Sequence, residues 1–77
     1  MKYQPSERVA NQLNKAFTYQ PPKPDQVPRY EAIRELARGF AQQLVEMTPE
    51  SREQSLALTH LEEVVMFANA AIARNES

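Results

Sequence analysis

Three residues, Thr48-Pro49-Glu50, separate the two longest amphipathic stretches of this chain. Proline has no N–H and biases the residue before it toward extended backbone, so one continuous helix through this point is disfavoured. Before the break, Tyr30, Ile33, Ala37, Phe40, Leu44 and Met47 recur in alternating steps of three and four. After it, Leu58, Leu61, Val65, Ala68 and Ile72 do the same. That is the seam spacing of packed helices. So short a connection makes the two helices run antiparallel, as a helical hairpin. The first is predicted over 28–47 and the second over 49–75. Each would be roughly 30 to 40 Å long at about 1.5 Å per residue. Thr48 is the expected N-cap of the second helix, with Pro49 at its first position and Glu50 on the favourable side of the dipole.

Such a hairpin has apolar surface left over. Leu36, Ala41 and Val45 widen the first stripe, and Leu56, Val64, Phe67 and Ala71 make a second stripe beside the other seam. A short helix, about Glu7 to Ala16 with Ser6 as N-cap, carries only Val9, Leu13 and Ala16 and covers part of that surface. A single core is marginal in a chain of 77 residues. No cysteine is present, so neither disulfides nor thiolate metal sites can help, and the single histidine, His60, argues against a histidine metal site. No cofactor is implied. Self-association is the route left. The expected architecture is one all-α domain over 1–77: an N-terminal extension and short helix (1–16), a proline-rich loop (17–28), then a long antiparallel hairpin that assembles into a homo-oligomer.

A formal net charge of -1 argues against binding to duplex DNA or RNA, which needs a surplus of Lys and Arg. A small anionic ligand needs only two or three well-placed cations. No apolar run long enough to span a bilayer stands out, and the N-terminus lacks the apolar stretch of a signal peptide, so no membrane role and a cytosolic location are expected.

The loop FTYQPPKPDQVPRY, residues 17–30, is longer and richer in rings than a connector needs. Its prolines make Gln20 to Pro24 stiff and extended, Asp25 and Gln26 can turn the chain, and Pro28 suits the first turn of a helix. Alternation puts Phe17 and Tyr19 on opposite sides. Phe17, lacking a hydroxyl, is the expected anchor, which leaves Tyr19 free to stack on a base; both rings anchoring the loop is the blander alternative. Arg34 and Arg38 share a helix face, with Lys23 and Arg29 near in sequence, and such a set can grip phosphates. Equally, Glu31 and Glu35 stand three residues before the two arginines and can pair with them. Gly39, in mid-helix, suggests close approach of a neighbouring helix or a ligand. His60 beside Glu62 and Glu63 reads as a surface histidine, and Arg74 suits the end of its helix. Nothing resembles a catalytic site, and the chain is expected not to be an enzyme.

Four blocks in order, FTY-x-PPK, RYEAIR, SRE-x-SLALT-x-LEE and ANAAIARN, resemble the hairpin domain of phage sponge proteins that defeat cyclic-oligonucleotide defence signalling. The best-known members act against CBASS, and a related hairpin occurs in sponges acting against Thoeris. The resemblance covers roughly residues 16 to 76. It implies a homohexamer that binds cyclic dinucleotides between protomers and, in a separate pocket near a three-fold axis, cyclic trinucleotides. The signal is held intact in the cytoplasm of the infected bacterial cell, so its effector stays silent. By resemblance Tyr19 is the stacking ring, Arg34 meets the phosphates and Lys23 is a second cation. Arg74, with Arg38, belongs to the trinucleotide pocket. Gln20 departs from the histidine of many relatives, and Asp25-Gln26-Val27 stands where relatives are often richer in glycine. A helical adaptor or structural oligomer that binds another protein is the competing reading. A phosphodiesterase is a third, disfavoured by the lack of metal ligands.

Overall fold

A computed structural model describes residues 2–76 and contains three helices: α1 (Glu7–Phe17), α2 (Val27–Met47) and α3 (Arg52–Asn75). α2 and α3 form the hairpin, and α1 packs against α3. The proline loop, residues 18–26, joins α1 to α2 without regular structure.

The helix ends follow from local chemistry. The Ser6 hydroxyl accepts from the Val9 N–H at 3.2 Å and caps α1 as expected. A turn over residues 23–26, closed by the Gln26 N–H on the Lys23 carbonyl at 2.9 Å, leads into α2, whose first turn contains Pro28. The start of α3 differs from expectation. Thr48 is not its N-cap but the C-cap of α2: its backbone is extended, and both its N–H and its hydroxyl return to the Leu44 carbonyl, the hydroxyl at 2.6 Å. Gln54 Nε2 then donates to the Thr48 carbonyl and hydroxyl. Ser51 takes the capping role, accepting from the Gln54 N–H at 3.1 Å, so α3 begins at Arg52 rather than Pro49.

The hairpin seam is formed by Tyr30, Ile33, Ala37, Ala41 and Leu44 from α2 and by Leu58, Leu61, Val65, Ala68 and Ile72 from α3, all half-buried. Phe40 and Met47, expected in the seam, lie outside it at 58% and 70% exposure. A straight α-helix drifts about 20° per heptad from a 3.5-residue repeat. Over the length of α2 that drift brings Ala41 to the seam and turns Phe40 and Met47 away.

The second stripe is uncovered. Val64, Phe67, Leu36 and Val45 are all more than half exposed. Among the described residues no hydrophobic side chain is buried, and the one buried residue is polar, Gln26 at 3% exposure. The backbone measures 51 × 36 × 14 Å, little thicker than one helix, and its radius of gyration is 17.0 Å. A compact domain of this length would have a radius near ~11 to 12 Å. The accessible surface is 6613 Å², against roughly 4,800 Å² for a compact monomer of this mass. A single layer of helices has two outer faces and no interior.

α3 is also long and apolar enough to cross a membrane by length and composition, with a window of mean hydropathy 1.3. The expectation that no stretch reaches that threshold is corrected on this point. Two adjacent carboxylates, Glu62 and Glu63, sit in the middle of α3, and its seam packs on α2, which ties its apolarity to helix packing.

Candidate functional site

Where the proline loop meets the ends of the hairpin, a groove of about 510 Å³ opens between three walls. Gln20 and Pro22 supply the loop wall; Val27, Tyr30, Glu31 and Arg34 supply the first turns of α2; Asn69, Ala70, Ala73 and Arg74 supply the last turns of α3. The volume falls in the range of small-molecule sites. Alanines at 70 and 73 keep the α3 wall low. Two guanidinium groups from different helices, Arg34 and Arg74, reach the same groove, and neither makes a salt bridge among the described residues. The Asn69 side-chain oxygen is buried and has no hydrogen-bond partner. An unsatisfied buried acceptor costs about 1–3 kcal/mol.

Arg34 faces a second groove as well. This one, about 550 Å³, runs along the seam between Ala37, Arg38, Ala41, Leu58, Leu61, Glu62 and Val65. An apolar hollow of about 430 Å³ lies beside it, lined by Ile33, Leu36, Ala37, Phe40, Leu61, Val64 and Val65.

Just outside the first groove is a polar cluster. The Glu76 carboxylate receives both terminal nitrogens of Arg29, at 2.6 and 2.8 Å, in a bidentate pair. Gln26 Nε2 donates to the same carboxylate at 3.3 Å, and Gln26 Oε1 accepts from the Lys23 N–H at 2.9 Å. The Lys23 ammonium donates to the Glu76 backbone carbonyl at 2.7 Å, and the Lys15 ammonium donates to Asn75 Oδ1 at 3.2 Å. Three cations thus gather at the C-terminal end of α3, where the helix dipole favours positive charge. The hydrogen bonds from Arg29 and Gln26 pull the Glu76 carboxyl down to about 2. In return, the hydrogen bond to Glu76 raises the Arg29 guanidinium above its ordinary value.

The residues expected from the sequence are distributed as follows. Arg34 and Arg74, assigned to separate pockets by resemblance, line one groove together. Arg38 shares the second groove with Arg34 and is not brought to Arg74. The pairing expected for Arg38 is present, a 3.8 Å contact to Glu35 between exposed side chains, whereas Glu31 leaves Arg34 unbridged among the described residues. Tyr19 is 81% exposed and lines neither groove, and Lys23 is engaged with the end of α3. Phe17, the expected anchor, is 82% exposed. The loop is instead fixed by the polar contacts of Lys23 and Gln26. His60 is a surface histidine, its Nδ1 2.7 Å from a Glu63 oxygen. A Cβ built at Gly39 meets nothing within 4 Å, so no close helix approach inside the chain explains that glycine. Sequence reasoning did not single out Asn69, and it gave Gln26 a place in the turn but no part in the site. An asparagine inside an alanine-rich helix run carries a weak signal, because its helix propensity is poor.

A family model described as Acb2/Tad1, hairpin domain, matches residues 10–73, most of the chain. The chain belongs to the Acb2/Tad1 hairpin-domain family. Membership ties the domain to sponges for cyclic oligonucleotides, a family of binding domains rather than catalysts. No curated protein and no solved structure matches the chain.

Proposed function

We propose that this protein is a homo-oligomeric sponge that binds cyclic dinucleotides between protomers and holds them intact. The observation that carries the reading is the convergence of Arg34 and Arg74 on one groove in a chain of this family. Both guanidinium groups lack an internal salt bridge among the described residues, so both are available to an anion. A cyclic dinucleotide offers two phosphates and two bases. Arginine suits the phosphates because its planar fork gives bidentate contacts. The exposed ring of Tyr19 is free to stack on a base. It lines neither of the two arginine grooves described above, which suits a ring that serves the pocket of a neighbouring protomer. Two symmetry-related copies would supply two stacks and two cationic grips. The second groove, with Arg34 and Arg38, would take a larger ring such as a cyclic trinucleotide, while Arg74 serves the first groove instead.

Assembly is supported by the surface. The excess of roughly 1,800 Å² over a compact monomer is of the size that stable interfaces remove, and the uncovered face carries Leu36, Phe40, Val64 and Phe67. A hexamer is the number that fits the family. The protein would act in the cytoplasm of the infected cell, lowering the free messenger so that CBASS-type effectors are not switched on.

The test is thermal denaturation with 3′,3′-cyclic dinucleotides, followed by recovery of the ligand after denaturing the protein. A ligand that binds only the folded state raises stability by mass action. A shift with unchanged ligand recovered supports the sponge. Linear products would make the protein a phosphodiesterase. No shift with any cyclic di- or trinucleotide would favour the adaptor reading, with the apolar hollow around Phe40 as its docking surface.

A further inference from the structure

The cluster at the end of α3 joins residues 47 to 53 positions apart in sequence. It also contains Gln26, the one buried residue among those described. Each of its members lies one or two residues from a wall of the groove. Lys23 follows Pro22, Gln26 precedes Val27, Arg29 precedes Tyr30, and Glu76 is two residues beyond Arg74. None of the four lines the groove itself. The apolar contacts nearby are only half-buried and fix little. The loop, the start of α2 and the end of α3 are therefore held in register by polar bonds.

We propose that Lys23, Gln26, Arg29 and Glu76 form a clasp that positions the groove, and that Lys23 serves the ligand through this clasp rather than by touching a phosphate. The inference rests on the groove being the ligand site. Gln26 is the centre: one end of its amide holds the loop backbone at Lys23, and the other holds the Glu76 carboxylate. Arg29 grips the same carboxylate from α2 with two bonds, which fixes direction as well as distance. The Lys23 ammonium closes the loop onto the carbonyl of Glu76, the residue that follows α3. Together these contacts set how far Arg74 stands from Arg34 across the groove. The clasp also compensates its own charge. Arg29 is paired with Glu76 and with Asp25, the latter at 3.7 Å, while the Lys23 ammonium bonds the Glu76 backbone carbonyl. In the groove, Arg34 and Arg74 make no salt bridge among the described residues.

The test compares binding of 3′,3′-cyclic di-AMP by calorimetry in the full chain, at two ionic strengths, for Glu76→Ala, Lys23→Gln and the reversed pair Arg29→Glu with Glu76→Arg. Opening the clasp should weaken binding about tenfold in either single variant, as for residues coupled in one network. The reversed pair restores the ion pair with its charges exchanged, and should bind within about threefold of wild type. Losing Lys23 should leave the ionic-strength dependence of Kd unchanged, because no phosphate contact is lost. Circular dichroism and oligomer size accompany each variant, and if Glu76→Ala does not fold, Lys23→Gln and the reversed pair decide. Wild-type affinity in the single variants, or no rescue by the reversed pair, overturns the clasp and leaves the sponge reading standing. A shallower ionic-strength dependence in Lys23→Gln makes Lys23 a direct ligand cation and overturns its role here. A wild-type chain that ignores the probe, and every other cyclic nucleotide, removes the ligand site and the clasp's purpose together.

Discussion

The two ends of α2 follow opposite rules. At its start, Gln26 and Arg29 sit in a tight polar cluster with Lys23 and Glu76, and a glutamine is the buried residue. From its middle to its end, Leu36, Phe40, Val45 and Met47 stand in solvent. Folded proteins ordinarily bury the second set and expose the first. A lone chain arranged this way has local order without a core. The clasped end is complete within one chain and needs no partner. The apolar flank is complete only when something covers it. The groove proposed for the ligand lies at the first end, yet Tyr19, the stacking ring proposed for it, is exposed and does not line it. The self-assembly proposed above would account for both facts at once, covering the flank and carrying Tyr19 to a neighbour.

The sharpest way to break this contrast is to charge the apolar flank. Phe40→Asp together with Phe67→Asp would cost a monomer little, since both rings are already exposed. In an assembly they bury unpaired charge, and the oligomer should fall apart, with loss of cooperative unfolding. Sedimentation velocity reads the result. Next in size is Tyr19→Ala, which should weaken dinucleotide binding by between about fivefold and about 150-fold, the range of about 1–3 kcal/mol for a base stack, while the oligomer stays intact. Unchanged affinity would remove the ring from the site.

Smaller effects refine the boundary between the two regions. A methyl group at Gly39 meets nothing in the chain. Gly39→Ala should therefore raise stability by about 1 kcal/mol, the helix-propensity gain, in urea denaturation. A loss instead would place a neighbouring protomer against that spot. Smallest is the pH response of the clasp. The Glu76 carboxyl is held at about 2, below its ordinary 4.5. A depressed carboxyl contributes in full above its ordinary value, and the contribution is lost as pH falls through the depressed one. The Glu76–Arg29 pair should thus remain closed at pH 4 and open only near about 2. The Glu76 side-chain carbon shift followed by NMR checks this. The group is solvent-exposed, so the associated stability change should be slight.

Much of the fold is legible along the chain because helices write themselves in short-range spacing. Val65, Ala68 and Ile72 fall in the seam as their three-and-four steps require, and Ser6 caps as its position suggests. The errors come where two local solutions compete. Thr48 and Ser51 are both good caps three residues apart, and the choice is made by the return of the Thr48 hydroxyl to Leu44, which sequence does not display. Phe40 and Ala41 compete for one seam position, and accumulated helical drift favours the alanine. The groove was half legible. Arg34 and Arg74 carry charge that any reading notices, but their meeting depends on how the hairpin closes. The clasp was not legible at all. Its partners are distant in sequence, and Lys23 among prolines looks like a free cation until Glu76 is beside it.

Native mass spectrometry of the full chain, with and without a panel of cyclic di- and trinucleotides, tests the sponge most directly. A stable oligomer that gains intact ligands in multiples set by its symmetry, six chains with bound dinucleotides shared between protomers, is the outcome predicted here. A monomer, or an oligomer whose mass is the same with every ligand in the panel, would contradict it.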